Sequence, residues 1–237
     1  RTDAAIPSYL GLIPLIFFRY HHPKTWSNAK GIDLYVLRTL LAGAFSGTPD
    51  TVIDALTRHF SEKGEFNLRE VFGIIREQGR SLEFSREYLF GLCYGDKELH
   101  LIFNLWYRDF NYQPSYERSL PQVDHIFSQS ELRKVKRINP ETGVRNLLRY
   151  YKEDRDQVAN CMLLTAAENG AGGKGDSTPA EWFADKDDDY LDRHLIPKDT
   201  SLWELDRYED FVEERQKLIL DKFSDMLFSE DDGDVDE

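Results

Sequence analysis

The sequence VDHIFSQSEL, at residues 123–132, is followed farther along the chain by NCMLLTAAEN, at residues 160–169, and then by Lys174. An Asp-His pair ends a short apolar run in the first segment, and an Asn begins the second. These residue types supply a base, a residue to hold that base, and hard oxygen ligands for a cation. The spacing predicts two short strands separated by a long insert, with the site of a one-metal phosphodiesterase between them.

His125 is the candidate base, because imidazole titrates near neutral pH without a large perturbation. Its neutral tautomer needs a hydrogen bond to the other ring nitrogen, and we expect Asn160 to shape that contact. Asp124 points to the opposite side of the strand from His125. With the amide oxygen of Asn169 it offers two hard oxygens to Mg²⁺ or Mn²⁺. Lys174, in a glycine-rich turn, is expected to reach a phosphate oxygen.

Each of these features also has an ordinary structural explanation. An Asp-His pair is common, and Asn at the ends of strands and helices is often a cap. The functional interpretation depends on the combination, because the Asp-His pair, the two Asn residues and the Lys occur in one order along the chain.

The insert between the two segments is basic, although the whole chain carries a net charge of −13. Residues 131–152 hold seven basic side chains against two acidic ones, a difference of +5. A phosphate backbone would lie between the two halves of the site, so this block predicts contacts with DNA. The six predicted contacts are Arg133, Lys134, Lys136, Arg137, Arg145 and Arg149. A solvated helix face is the alternative interpretation.

The composition of the 237 residues, 41% hydrophobic and 13% aromatic, is that of a folded protein. No segment approaches 18 consecutive apolar residues and none resembles a secretory signal, so we expect no membrane span. Cys93 and Cys161 have no zinc-site spacing, which favours a reducing, cytoplasmic setting. The chain begins at Arg1 rather than Met, and we expect it to be a fragment of a longer protein.

The periodicity of apolar residues predicts a mostly α protein with three parts. A helical domain covers 1–118, with helices over 32–45, 48–60, 67–79 (capped by Asn67), 85–92 and 96–107. A second domain, 119–228, contains predicted strands at 120–123 and 158–164. Its predicted helices cover 131–134 (capped by Ser130), 144–151, 165–169 and 208–228. The acidic tail, 229–237, is expected to be disordered.

Arg215 falls on the apolar stripe of the last predicted helix, four residues after Phe211. A charged side chain there needs a partner, and we expect a structural carboxylate. A phosphate contact in the site is the second possibility. His194, beside Leu195-Ile196-Pro197, is expected to be structural.

The two segments quoted first resemble the HNH nuclease motif of the RNA-guided CRISPR endonuclease. That resemblance implies a ββα-metal fold in which Asp124 and Asn169 hold the metal, His125 is the base and Asn160 supports the fold. Two positions depart from the pattern. The step from Asn169 to Lys174 is two residues longer, and Ser128 stands in place of the usual Pro.

Most of residues 6–228 resembles the C-terminal part of GmrSD-type restriction nucleases, including the SspE-like nicking enzymes of phosphorothioate-dependent defence. The resemblance rests on a helical region, the Asp-His-Ile motif, an Asn-led apolar run, His-Leu-Ile-Pro and a Phe-x-x-x-Arg helix. It implies a cutting half that acts on double-stranded DNA. It also implies an N-terminal nucleotide-hydrolysing sensor domain, in the same protein or a partner chain, although this sequence has no G-x-x-x-x-G-K motif.

Three functions are therefore compared. The first is a metal-dependent DNA endonuclease, nicking because one site cuts one strand per encounter, within a modification-dependent anti-phage restriction protein. The second is a helical interaction or regulatory module with a degenerate nuclease fold, which the acidic balance and the aromatic-rich helices favour. The third is a phosphodiesterase acting on RNA or a small nucleotide.

Overall fold

The computed structural model describes residues 6, 8–107, 121–170 and 172–228, and these residues are mostly helical, as the sequence predicted. They form two compact units. One unit is Arg86–Lys222, and the other contains the described residues before Arg86 and the end of the last helix from Phe223. The domain boundary predicted at 118 and the predicted acidic tail lie outside the described residues. No helix in the described ranges is both long enough and apolar enough to cross a bilayer.

The unit before Arg86 is a group of helices around an aromatic core. A 3₁₀ turn at Tyr9–Leu12 leads into the helices, which are α1 Ile13–His21, α2 Pro23–Trp26, α3 Ile32–Leu41, α4 Asp50–Lys63 and α5 Leu68–Glu77. Phe18, Phe60 and Phe72 have no exposed surface. The three long helices predicted here are confirmed, and so is the cap, because the Asn67 side chain accepts a hydrogen bond from the Glu70 N–H at 3.1 Å.

The unit of residues 86–222 contains four short strands among helices. Its helices are α6 Arg86–Gly91, α7 Lys97–Trp106, α8 Gln129–Lys134, α9 Lys152–Asp156, α10 Pro179–Phe183, α11 Asp188–His194 and α12 Tyr208–Phe228, the last of which continues past the unit. Its strands are β1 Gln122–His125, β2 Lys136–Ile138, β3 Arg145–Leu148 and β4 Cys161–Leu164. Since α6 and α7 lie in this unit, they group with the strands rather than with the earlier helices.

The strands form two antiparallel pairs. β1 pairs with β4, with Asp124 opposite Met162 and His125 opposite Cys161. They correspond to the strands predicted at 120–123 and 158–164, with a long insert between them. β1 continues through the Asp-His pair, however, and Val158–Asn160 is a 3₁₀ turn that precedes β4. The insert contains the second pair, a hairpin of β2 and β3. The Asp-His pair therefore lies at the end of a strand whose partner is the apolar run after Asn160.

Three local predictions are wrong. The helix predicted over 144–151 is strand β3 instead, because β2 offers a hydrogen-bonding partner across a turn in which Gly143 has a φ of +71°. The cap of α8 is Ser128 rather than Ser130, since its hydroxyl accepts from the Glu131 N–H at 3.2 Å. The helix predicted over 165–169 is a single turn, closed by a hydrogen bond from the Asn169 N–H to the Thr165 carbonyl.

Arg215, on the buried side of α12, is fully buried and binds backbone carbonyls rather than the carboxylate predicted from the sequence. Its Nη1 donates to the carbonyls of Ala159 and Cys161 at 2.9 and 2.8 Å. Its Nη2 and Nε donate to the carbonyls of His194 and Leu195 at 2.9 and 3.1 Å. A guanidinium has five N–H donors in a plane, so one side chain can join the start of β4 to the end of α11. This burial also contradicts a phosphate contact by Arg215.

Candidate functional site

An open cleft with a volume of about 390 Å³ lies where β1 ends and α8 begins. Its lining combines the Asp-His pair with polar groups from α8 and from the glycine-rich turn. The lining residues are Tyr94, Asp124, His125, Ser128, Gln129, Ser130, Arg133, Lys174, Gly175 and Asp176. The structure thus brings together three residues that the sequence placed in one site, namely Asp124, His125 and Lys174.

The His125 ring is bound to a buried carboxylate. Its Nε2 lies 3.0 Å from Oδ1 of Asp156, whose side chain is 5% exposed. The same oxygen accepts a hydrogen bond from the Gln129 amide at 2.6 Å. Asp156 can only accept in its ionised form, so the proton of neutral His125 belongs on Nε2. The lone pair of the neutral ring is therefore on Nδ1.

Two opposing effects act on the pKa of His125, namely the burial of its ring and the charges near it. Burial lowers the pKa of His125 below its ordinary value of 6.5, while the charge and hydrogen bond of Asp156 raise it; burial has the larger effect. The imidazole is consequently neutral at pH 7, which is the form that accepts a proton. The Tyr94 ring lies against it, with the two ring centroids 4.8 Å apart.

Asn160 holds the chain just after His125. Its Oδ1 accepts from the Phe127 N–H at 2.9 Å, and its Nδ2 donates to the carbonyls of Phe127 and Arg155 at 3.1 and 2.7 Å. The expectation that Asn160 shapes the contact to the second ring nitrogen is therefore wrong, because Asp156 makes that contact. A fully buried amide needs partners for both of its ends, and the backbone of the turn supplies them.

Lys174 lies beneath the end of β1 instead of reaching outward to a phosphate. Its Nζ donates to the His125 carbonyl at 2.6 Å and lies 3.1 Å from Oδ2 of Asp124. The lysine side chain is 1% exposed, whereas the Asp124 carboxylate is 29% exposed and lines the cleft. A Cβ at Gly173 would meet the Glu168 carbonyl oxygen at 2.0 Å, so glycine is needed where the turn brings Lys174 under the strand.

Of the two predicted metal ligands, Asp124 lines the cleft and Asn169 is not among the lining residues. The Asn169 amide donates to the side chain of Gln122, which is two residues from Asp124 and therefore on the same side of the strand. A carboxylate and an amide oxygen are donors that suit Mg²⁺ or Mn²⁺. Among the described residues no three His, Cys, Asp or Glu side chains are grouped for a metal. The donor chemistry therefore fits a metal site in which water and phosphate fill most of the coordination positions. The assignment of Asp124 and Asn169 as ligands stays a prediction.

The six predicted DNA contacts are spread over three environments. Arg133 lines the cleft and donates to the Gln129 side chain at 2.9 Å. Lys134 forms an ion pair with Glu131, and Arg149 forms a two-bond ion pair with Glu209 at 3.0 and 3.2 Å. Lys136, Arg137 and Arg145 belong to the β2–β3 hairpin.

Three residues of the site were missed in the sequence. Asp156 is one of several acids in KEDRDQVAN, at residues 152–160, and no spacing rule distinguishes it from its neighbours. Gln129, four residues after His125, was noted only as part of the motif. Tyr94 is far from the motif in sequence, and only the fold brings it to His125. Its backbone N–H donates to the Asp156 carbonyl at 2.7 Å.

A comparison with protein families matches residues 80–222 to a model described as GmrSD restriction endonucleases, C-terminal domain. The match covers the cleft, the basic insert and the start of α12, and it begins close to the start of the unit at Arg86. No curated protein matches the chain in a direct search.

Proposed function

The chain belongs to the GmrSD restriction endonuclease C-terminal domain family, and on this premise we propose that it is a metal-dependent DNA endonuclease with an HNH-type site. The observation that carries the proposal is the Asp156–His125 pair at the open cleft. We further propose that it nicks DNA, because the cleft holds one base and one base serves one strand per encounter. It would be the effector half of a modification-dependent restriction protein, controlled by a nucleotide-hydrolysing sensor in the same protein or a partner chain.

His125 acts as the general base in this proposal. Nε2 keeps its proton against Asp156, and Nδ1 takes the proton of the attacking water. As the imidazole becomes positively charged, the Asp156 carboxylate stabilises that charge without accepting the proton. Gln129 and Tyr94 hold the carboxylate and the ring in position, at 2.6 Å and 4.8 Å respectively.

Phosphodiester hydrolysis also requires neutralisation of negative charge on the phosphate. Arg133, at the cleft, is positioned to contact a phosphate oxygen. Asp124 and Asn169 would hold Mg²⁺ or Mn²⁺, which when bound supplies Lewis acidity and stabilises the leaving oxygen. Lys174 keeps the Asp124 carboxylate in place through its ion pair and fixes the His125 backbone through its hydrogen bond.

The proposal is tested with supercoiled plasmid and the purified chain in Mg²⁺ or Mn²⁺. We expect conversion to the open-circular form, and we expect His125→Ala to lower the rate by about 10²–10⁴-fold, the usual contribution of a general base. His21→Ala, an exposed histidine on α1, is the matched control and should cut as the parent does. Intact plasmid with the parent chain, beside a working control nuclease, would contradict the proposal.

The metal assignment has its own measurement. Asp124→Asn should raise the Mn²⁺ concentration needed for half-maximal cutting, while the unfolding midpoint shows whether the loss of the Lys174 ion pair has also altered the fold. A Mn²⁺ dependence unchanged by Asp124→Asn would remove Asp124 as a ligand. Single-stranded DNA, RNA and cyclic dinucleotides assayed beside the plasmid distinguish the phosphodiesterase alternative.

A helical interaction module remains the second candidate, and one observation favours it. The first turn and α1 expose a row of apolar side chains at helical spacing, and these belong to the unit before Arg86. They are Tyr9, Ile13, Ile16 and Tyr20, which are 40–80% exposed. A parent chain that folds but does not cut would favour this function.

A further inference from the structure

The β2–β3 hairpin projects an exposed tip from the basic insert. Its turn is held by its own backbone and two side chains: the Asn139 N–H donates to the Val144 carbonyl, and the Gly143 N–H to the Asn139 carbonyl, both at 2.8 Å. The Thr142 hydroxyl accepts from the Val144 N–H at 3.4 Å. The Asn139 side chain also accepts from the Glu141 N–H at 2.9 Å. A turn closed in this way keeps the residues that flank it in defined positions.

The surface of this hairpin combines positive charge with aliphatic side chains. Ile138 and Val144 are 55% and 56% exposed, and they are the exposed large aliphatic side chains in the described part of residues 86–222. Arg137 and Arg145, next to them in sequence, are exposed too. Arg137 lies over the Tyr151 ring at 6.0 Å, and Arg145 donates to the Lys136 carbonyl at 3.4 Å, so neither charge is neutralised by these contacts. Across the hairpin Ile138 is paired with Arg145, so an aliphatic and a cationic side chain are neighbours on one face. Such a surface suits a partner that is both anionic and partly apolar.

The hairpin is close to the proposed active site along the chain. Arg133 lines the cleft, and Ile138 follows it by five residues, a span of at most about 18 Å for extended backbone. One turn of duplex DNA is about 34 Å long, so a duplex bound at the cleft extends past the hairpin.

We propose that the β2–β3 hairpin enters the major groove of duplex DNA, with Ile138 and Val144 against the base edges and Arg137 and Arg145 against the phosphates. The major groove admits a two-stranded ribbon, and the thymine C5-methyl group is its apolar feature. This inference rests on the proposed function, since the duplex is the substrate of the cleft, and it adds a groove contact that makes cutting sensitive to thymine methyl groups.

The first experiment measures binding of the full chain to a labelled duplex by fluorescence anisotropy in EDTA, so that no cutting occurs. The same duplex with deoxyuridine in place of thymidine lacks only the methyl groups. We expect the parent to bind the deoxyuridine duplex more weakly, by about fourfold for each methyl in contact. The double variant Ile138→Ser/Val144→Ser should bind both duplexes equally, while Ile16→Ser, an exposed aliphatic on α1, should behave as the parent does.

The second experiment tests the charges through the salt dependence of binding. Arg137→Ala/Arg145→Ala should lower the slope of log affinity against log salt by about 0.9 for each phosphate that the variant no longer neutralises. Lys217→Ala on α12, a lysine already paired with Glu213 and Glu214, is the matched control and should leave the slope unchanged.

Several results would overturn the inference. They are equal binding of both duplexes by the parent, discrimination that persists in the double serine variant, and an unchanged salt slope in the arginine variant. Self-association of the parent that the serine variant abolishes would assign the tip to a second copy of the chain instead. These outcomes are separate from the plasmid assay: methyl-dependent binding without nicking contradicts the nuclease, and nicking that the hairpin variants do not affect contradicts only the groove contact.

Discussion

Two buried histidines in the same unit have opposite surroundings. His125 lies 3.0 Å from a carboxylate oxygen and lines an open cleft. Nδ1 of His194 lies 2.8 Å from the Tyr107 hydroxyl, and the backbone carbonyl of His194 accepts a hydrogen bond from Arg215. The pKa of both is lowered, chiefly by burial, and that of His194 falls to about 3 because Arg215 and Arg193 add positive charge nearby.

The difference bears on the base proposed for the cleft, because burial alone does not suit a histidine to that role. A base needs a free lone pair facing substrate and a partner that stabilises its protonated form, and the Asp156 carboxylate provides the second of these at the cleft. Next to Arg215 the protonated form is opposed, so His194 stays neutral and serves as a hydrogen-bonding part of the core. The structural role predicted for His194 is confirmed by these contacts.

The largest expected effect concerns the core around His194. Arg215→Met leaves the carbonyls at the start of β4 and the end of α11 without donors, and we expect a loss of at least about 3 kcal/mol in the free energy of unfolding. Urea unfolding followed by circular dichroism measures it. Arg207→Met removes an exposed arginine that pairs with Asp210 and should cost less than about 1 kcal/mol. Equal losses in the two variants would mean that the buried network contributes no more than a surface pair.

A smaller effect is expected from the partner of His125. Asp156→Asn removes the charge that supports Nε2–H, and we expect cutting to fall by about 10–100-fold. In the proposed mechanism neutral His125 is the active form, so we expect the parent rate to be lost only as the pH falls through a pKa below 6.5. Because Asp156 raises that pKa, the variant should lose activity at a still lower pH.

The pH profile distinguishes this positioning role from a merely structural one. Glu153→Gln makes the same carboxylate-to-amide change at an exposed position of α9, and its profile should match that of the parent. If the Asp156→Asn variant cuts more slowly but its rate falls at the same acidic pH as that of the parent, Asp156 supports the fold rather than the base.

The effect expected to be smallest for each step measured, one pH unit, is a dependence of stability on pH. The unfolded chain protonates His194 near pH 6.5, while the folded chain keeps it neutral down to about pH 3. The unfolded state therefore binds more protons in this window, and stability should fall by up to about 1.4 kcal/mol per pH unit below 6.5. Urea midpoints at pH 7, 6 and 5 measure this, and His194→Gln should remove more of the slope than His125→Gln does. Equal slopes in the two variants would contradict the difference between these sites.

Much of this architecture was predictable from local patterns. Helical periodicity located α3, α4, α5 and α12. Asn67, just before α5, was predicted to cap that helix and does so. The Asp-His pair and the Asn-led run predicted the two strands that pair at the site. These features depend on a few neighbouring residues, so local sequence is sufficient to specify them.

The errors arose where a partner distant in sequence decides the conformation. The apolar residues of 144–151 are compatible with a helix, and only the presence of β2 across the turn makes them a strand. The partner of Arg215 is a set of carbonyls from two separate segments, which no spacing rule encodes.

The sequence by itself determined the mostly helical class, the strand pair and the residue types of the candidate site, because periodicity and side-chain chemistry are local properties. Only the tertiary structure decided that Asp156 holds His125, that Asn160 holds the backbone instead, and that Lys174 and Arg215 are buried. These contacts depend on which buried polar groups lie close together in the folded chain. Each buried donor and acceptor must find a partner, and the packing of distant segments determines which partner is within reach.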